Sequence, residues 1–425
     1  MKTIFICEIL DHMHTASTAA ERAAERAAER AAQGAARVEW IRSRMPLLAA
    51  VREQFAATQP FAGHRIGMSL HLEPKTAVLL ETLAAGGAEL VATGNHGSTQ
   101  DDIVAFLRAQ GMTVFGSRDD DLDQHHANLA AVLDARPDIL LDNGADLAAG
   151  VVARGTAADI IGGTEETTSG GDRVRGELAG RVGFPVIVIN DSLLKAIGEN
   201  KHAVGQSVVE SFMRLTNLMV PGRRFVVVGY GWCGRGVAHY LRALGGKVAV
   251  VEIDELKAFE AALDGFRVSE LMDLAAWGEV FITATGHADI LTAPFFETVA
   301  DGAVLANCGH FPWEIDVAAL RAMSTGSRQL GGADGAIERI DLPGGAEPGG
   351  RHVILLAEGR MMNLAGREPK GNSIESMDLG FLLQALSLER VATDTLSLRT
   401  GAHPVPDDID REIARRVLAS MQAHR

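Results

Sequence analysis

The stretch RFVVVGYGWCGRGVAHYLRALGGKVAVVEID, residues 224–254, decides the fold. A β-branched run ends in Gly229, Gly231 and Gly234, a helix-compatible segment opens at Trp232 and Cys233, and a second β-like run closes on Glu252. A GxGxxG alone is a weak signal, because 46 glycines in 425 residues give about half a chance match. Its position between strand and helix is what gives it meaning. Bare backbone there lets a pyrophosphate approach the helix N-terminus, where orphan N–H groups point at it. Glu252, at the end of the second strand, suits a ribose 2′-OH and repels a 2′-phosphate, so NAD is expected rather than NADP.

Outward from this unit the same grammar repeats. EVFITATG and AVLANCG continue the series of strands ending in glycine, and DLPGGAEPGGRH closes it as a loop or hairpin. Upstream, from Arg65 to about Asn190, RIGMSLH, ELVATG, MTVFGS, DILLDNG and VIVIN alternate with helical stretches, which implies a mostly parallel sheet covered on both faces. The expected class is α/β with two Rossmann-like doubly wound domains, a discontinuous substrate domain and an NAD-binding domain. The boundaries expected are 1–198 for substrate binding, 199–352 for NAD, 353–395 as a return to the substrate domain, and 396–425 as a helical tail. Residues 15–55, with the threefold AAER repeat, read as one long amphipathic helix.

Composition narrows the function. Forty Lys plus Arg against 55 Asp plus Glu leave a formal charge of −15, which repels phosphate polymers, so nucleic acid is not an expected partner. Cys7, Cys233 and Cys308 are too few and scattered for a disulfide framework or a zinc site. No metal is expected. The opening MKTIFICEILD is interrupted by Glu8 and Asp11, and no run approaches bilayer length; a cytoplasmic, non-membrane protein is the expectation.

Several blocks then form a set: HLEPKTAVLLETL (71–83), TGNHGSTQDD (93–102), LLDNGADL (140–147), GGTEETTSGG (162–171), VINDSLLKAIGEN (188–200), GQSVVES (205–211), GYGWCGRG (229–236) and NCGHFPWEID (307–316). In this order and spacing they resemble S-adenosyl-L-homocysteine hydrolase over nearly the whole chain. The resemblance implies an enzyme that hydrolyses a nucleoside thioether with NAD: oxidation at C3′, elimination of the 5′ thiol after loss of the C4′ proton, addition of water, and return of the hydride. It implies Lys195 at the 3′-OH proton, which requires a lysine whose pKa is lowered by its surroundings. Glu166 is implied at the ribose hydroxyls, and His71 and His310 near the 5′ position and the nicotinamide, where imidazole can protonate a departing thiolate. Thr167, Thr168 and Ser169 are implied to line the nicotinamide end of NAD, Asn190, Asn200 and Asn363 to hydrogen-bond substrate or cofactor, and Asn95, Thr99, Lys75 and Asp146 to meet the substrate. The family's homotetramer, or a dimer, is the implied assembly.

The chain also departs from the family. The pattern DDGGDL reads DNGADL, so Asn143 stands where an aspartate is implicated in C4′ proton abstraction, and an amide cannot accept that proton at neutral pH. Asp142, Asp146 or Glu199 could substitute, elimination could be slow, or the 3′-keto intermediate could serve another reaction. Glu199 itself stands where the family has Asp. The GHP turn after Asn363 is replaced by NLAGREPKGNSIESMDL, which directs attention to Lys370 and Asn372. Lys75 replaces a Glu of many members; a cation donates where Glu only accepts, which admits a 6-oxo purine such as that of S-inosylhomocysteine. Lys257 and His287 differ from commoner residues around NAD, and the C-terminus lacks the Lys-and-Tyr tail of longer members. Besides thioether hydrolysis, the sequence therefore leaves open an epimerase, dehydratase or C–S bond-forming enzyme using the same 3′-keto chemistry, and a non-catalytic NAD-binding regulator; retention of Lys195 and the EETT block speaks against the last.

Overall fold

The computed structural model describes residues 22, 24–309, 312–331, 336–344, 350–364, 369–394 and 397–423. Its strands are β1 (Arg65–Ser69), β2 (Glu89–Thr93), β3 (Thr113–Phe115), β4 (Ile139–Asp142), β5 (Gly162–Glu165) and β6 (Pro185–Val188). Then come β7 (Arg224–Val228), β8 (Lys247–Val251), β9 (Arg267–Val268), β10 (Val280–Thr283) and β11 (Ala303–Asn307). The last four are β12 (Gly326–Gly331), β13 (Ile337–Leu342), β14 (Arg351–Leu356) and β15 (Gly401–Pro404). The chain divides into two compact units, Met1–Ile189 with Phe381–Arg425, and Asn190–Gly380.

In the first unit the sheet runs β15-β6-β5-β4-β1-β2-β3, every pair parallel. The order reverses between β1 and β4, and ligands of open α/β sheets settle at the strand carboxyl ends beside such a reversal. The second unit runs β12-β13-β14-β11-β10-β7-β8-β9, parallel from β14 to β9 with an antiparallel margin at β12 and β13, and it reverses between β7 and β10. The inner strands β7, β10 and β11 are buried on both faces, as crossover helices require. Phe225 and Val227 join one core cluster, while Val226 and Val228 join the other, the period of two that a strand imposes.

Four details differ from the sequence reading. The amphipathic stretch is broken: one helix covers 24–42 and a second Pro46–Thr58, joined by a tight turn at 43–45. Pro46, which has no N–H, starts the second helix where its fixed φ fits; residues 15–21 of the repeat lie outside the described residues. The return to the first unit comes at Phe381 rather than at 353, because β14 pairs with both β11 and β13. The boundary expected at 198/199 instead falls inside a π-helical segment, Lys195–Ala203, which packs within the second unit: a Cβ added to Gly236 would stand 1.9 Å from the Lys201 carbonyl oxygen. The C-terminal tail is not purely helical, since β15 pairs with β6 before the helix Asp407–Ala423.

Candidate functional site

In the first unit the predicted residues gather at strand carboxyl ends. His71 follows β1, and its Nδ1 lies 2.7 Å from Ser98 Oγ, whose own proton goes to the Asn95 carbonyl at 3.0 Å. Nδ1 is therefore the donor, and a neutral His71 carries its lone pair on Nε2, the tautomer of a proton acceptor. Asn95 follows β2 and donates from Nδ2 to Asn143 Oδ1 at 3.2 Å, joining the loops after β2 and β4. Asn95 Oδ1 is buried without a protein partner, as are the hydroxyls of Ser69 and Thr93, which are paired in register at the ends of β1 and β2. Thr99 is buried against Gly94.

Lys75 is not an isolated cation: its Nζ lies 2.8 Å from Glu73 Oε2, both side chains nearly inaccessible. Pro74 between them starts the helix Pro74–Ala85 and fixes the pair at its N-terminus. This position presents a donor and an acceptor side by side, where the sequence pointed to a donor alone.

The loop after β4 is tied down by acids. Asp142 Oδ2 accepts from Ala148 N at 2.9 Å, and Asp146 is held by Arg173 at 2.8 Å. Glu165, which the sequence reading passed over, accepts from Gly144 N, Ala145 N and Thr167 N, and from Thr167 Oγ1 at 2.6 Å. Burial, reinforced by Glu165, holds Asp142 well above the usual carboxylate range, and burial also raises Glu165 against its hydrogen bonds. With fewer donors around it, Asp142 is the member that keeps a proton. Thr167 additionally caps the helix Thr168–Arg175 by accepting from Gly170 N, so its hydroxyl is spent locally; Ser169 Oγ stands 3.1 Å from it, and Thr168 is exposed. Glu166 is buried and accepts a hydrogen bond from Gln384 Nε2. Gln384 was missed; the only trace of it in the sequence is one amide inside the apolar run DLGFLLQALSL.

In the second unit, Lys195 and Glu199 form an ion pair at 2.9 Å, with 4% and 8% of the two side chains exposed. Both lie on the π-helical segment, a wide turn that occurs mostly at functional sites. Glu199 Oε2 and Asn363 Oδ1 are buried without protein partners. Asn200 Nδ2 donates to Asn190 Oδ1 at 2.8 Å. Cys233 stands within electrostatic reach of Lys195 and Glu199, and burial pushes its thiol up to about 12, so it stays a neutral thiol.

The glycine turn after β7 fits a dinucleotide. Gly229 has φ +100° and abuts the Ala284 carbonyl at the end of β10, and a Cβ on Gly234 would stand 2.0 Å from the Gly229 oxygen. Around Gly231, by contrast, a Cβ would meet nothing within 4 Å. Packing does not demand a glycine there, which leaves open space in which a ligand could lie against the backbone. The helix Trp232–Ala243 begins without a capping side chain, leaving its first N–H groups for an anion. Glu252 closes β8 and accepts from Tyr230 N at 2.7 Å, which fixes its carboxylate beside the turn. Asn363 Oδ1 adds a buried acceptor to the same unit. Lys257 pairs with Asp254 at the surface, and His287 and Lys370 are exposed. Within NCGHFPWEID, Asn307 and Glu314 are buried anchors, Glu314 accepting from Thr285 N at 2.9 Å and Gly286 N at 2.8 Å; His310 lies outside the described residues.

Comparison with known proteins gives the family. The family model described as S-adenosyl-L-homocysteine hydrolase matches residues 26–158, and that described as its NAD binding domain matches 200–368. The chain is 44% identical over 393 residues to the S-inosyl-L-homocysteine hydrolase of Methanopyrus kandleri, covering 90% of this chain and 89% of that one. It is 41% identical to the adenosylhomocysteinase of Archaeoglobus fulgidus, over 91% of this chain and 93% of that one. The S-inosyl-L-homocysteine hydrolase of Methanosarcina mazei is 42% identical over 91% of this chain and 92% of its own. Matched by both family models and by relatives along almost its full length, the chain belongs to the S-adenosyl-L-homocysteine hydrolase family, with that family's NAD-binding domain in its second unit.

Proposed function

We propose that this protein hydrolyses the thioether of S-adenosyl-L-homocysteine or its 6-oxo analogue S-inosyl-L-homocysteine, releasing homocysteine and the nucleoside. The observation that carries the reading is the buried Lys195–Glu199 pair, with a partnerless carboxylate oxygen, in the unit that holds the dinucleotide turn. Gly229, Gly231, Gly234, Trp232 and Cys233 at the helix start, with Glu252, would hold NAD, which would supply a reversible acceptor for the C3′ hydride and so make the adjacent C4′–H acidic. Lys195 takes the 3′-OH proton, and the neighbouring Glu199 carboxylate offsets the charge it gains. Glu166, fixed by Gln384, grips the ribose hydroxyls. His71, with its lone pair on Nε2, can hold a proton and deliver it to the departing sulfur. Glu199 Oε2 takes the C4′ proton in place of the amide at Asn143: burial holds Asp142 toward its neutral form, and Asp146 is engaged by Arg173. The Glu73–Lys75 pair meets the purine edge, Lys75 favouring O6 of a 6-oxo base, and Asn95 and Thr99 contact the substrate.

Incubating the protein with each thioether and a thiol-reactive dye tests this: stoichiometric homocysteine is the expected product. Reduction of bound NAD without thiol release would instead favour epimerisation, dehydration or C–S bond formation, and neither signal would leave only a binding role. We also propose that the protein is a cytoplasmic homo-oligomer. Net charge −15 and unbridged Cys233 and Cys308 support the compartment, and among the described residues no helix is long and apolar enough to cross a membrane. The assembly is supported by the helix Glu255–Leu263, where Leu256, Phe259 and Leu263 are 80%, 62% and 72% exposed beside Ile253.

A further inference from the structure

Two segments about 170 residues apart in sequence meet in the second unit. Glu199 Oε1 accepts from Lys195 Nζ at 2.9 Å and from Asn372 Nδ2 at 3.4 Å. Asn372 Oδ1 in turn accepts from Ser207 Oγ at 3.2 Å, and Ser207 Oγ accepts from Asn363 Nδ2 at 3.1 Å. The orientation of the Asn372 amide is fixed by chemistry, because a carboxylate only accepts and so must face Nδ2. Gly371, with φ +61°, makes the turn that brings Asn372 inward, and Gly380 closes over the far side of the carboxylate, a Cβ there standing 2.5 Å from Glu199 Oε2.

The two oxygens of Glu199 are therefore unequal. Oε1 has two donors, Lys195 Nζ and Asn372 Nδ2; Oε2 is buried with none from the protein. A donor on one oxygen stabilises the ionised form and fixes the rotamer, leaving the other oxygen as the basic atom. The other titratable groups around it are Lys195 on its own segment and the neutral thiol of Cys233 from the helix Trp232–Ala243; on the helix Ile374–Thr393 that carries Gly380, Asp378 is also buried.

We infer that Asn372 is a positioning residue for Glu199: with Lys195 it engages Oε1, so that Oε2 is left as the atom that accepts a proton from the substrate. The inference rests on the hydrolase reading for the identity of that proton but not for the hydrogen-bonded relay itself.

The test compares wild type with Asn372→Ala and the isosteric Asn372→Asp, which keeps the Ser207 bond and puts a second carboxylate beside Glu199. Two rates are followed against pH: reduction of bound NAD after adding adenosine or inosine, and homocysteine release from the two thioethers. Asn372→Ala removes a donor to the carboxylate and Asn372→Asp adds a like charge beside it, so the acid limb of kcat should move to higher pH by about one unit in Asn372→Asp and by less in Asn372→Ala, with KM changed by less than about threefold. Acid limbs superimposable on wild type in both variants would overturn the inference, even if both melt at lower temperature. Thiol release with unshifted limbs sinks the positioning role and leaves the hydrolase reading intact; shifted limbs in NAD reduction without thiol release sink the hydrolase reading and leave the positioning role standing.

Discussion

Lys195 and Asn143 bear on opposite ends of the proposed chemistry. Lys195→Ala should abolish reduction of bound NAD by a nucleoside, by at least about 100-fold, because no other base replaces one held at a buried carboxylate; unchanged absorbance at 340 nm would remove it from the 3′ position. Asn143→Asp puts a carboxylate where Asn95 Nδ2 already donates, and thioether cleavage should rise about tenfold if that position limits elimination. No gain in thiol release would leave Glu199 as the working base. Asp142 and Glu165 make a prediction about stability. Both are raised by burial, so the folded state binds protons the unfolded chain has already lost. The stability they permit is complete below the ordinary carboxylate range and is lost as pH rises through their raised values, at up to about 1.4 kcal/mol per pH unit for each proton. Urea midpoints should fall between pH 5 and pH 8 in wild type and fall less in Asp142→Asn; equal slopes would refute a raised Asp142. His71, Lys195 and Glu166 were legible in the sequence because each sits in a short block of fixed spacing. Gln384 was not, and Asn372 stood out only as part of the altered segment after Asn363, without its partner, since the partners of the two lie 218 and 173 positions away and no local pattern encodes such a contact.

Two glycines of the turn segment that look alike in sequence differ in structure. At Gly231 a methyl group meets nothing, so Gly231→Ala should leave the melting temperature of the NAD-free protein within about 2 °C, a surface-like change, while weakening NAD binding by about tenfold or more. Calorimetric titration that found unchanged affinity would place the pyrophosphate elsewhere. At Gly236 the methyl group meets the Lys201 carbonyl, and Gly236→Ala should cost about 1–3 kcal/mol by forcing the π-helical segment away. Since that segment carries Lys195 and Glu199, thiol release should fall more than NAD affinity does; the reverse order would separate the segment from the chemistry. The strand–turn–helix of the second unit was legible because three requirements coincide there: bare backbone, a buried β-branched strand and an acid at the next strand end. The π-helical segment was not, because apolar spacing does not distinguish it from an α-helix. The break before Pro46 was hidden for the same reason, as the apolar periodicity carries on across it. Nor was β15 legible: GAHP is short, contains proline, and is a strand only because it lies on an edge.

The alternation of strands and helices was enough to foresee two doubly wound sheets, but not where one ends and the other resumes, which depends on the partner each strand finds. The exposed stripe of Leu256, Phe259 and Leu263 gives a prediction for the whole molecule: Phe259→Asp combined with Leu256→Asp should shift the sedimenting species to a smaller one without unfolding it, and an unchanged mass would exclude this helix from the assembly. The pairing of β15 with β6 has a further consequence in time. Between the two strands the ribosome must make the entire second unit, so at about 5–20 residues per second the edge of β6 waits on the order of 10–40 s for its neighbour during synthesis. The dinucleotide-binding unit is thus finished first, and the nascent first sheet stays open on one side until β15 emerges, a window in which a chaperone holding that edge would raise the yield of folded protein.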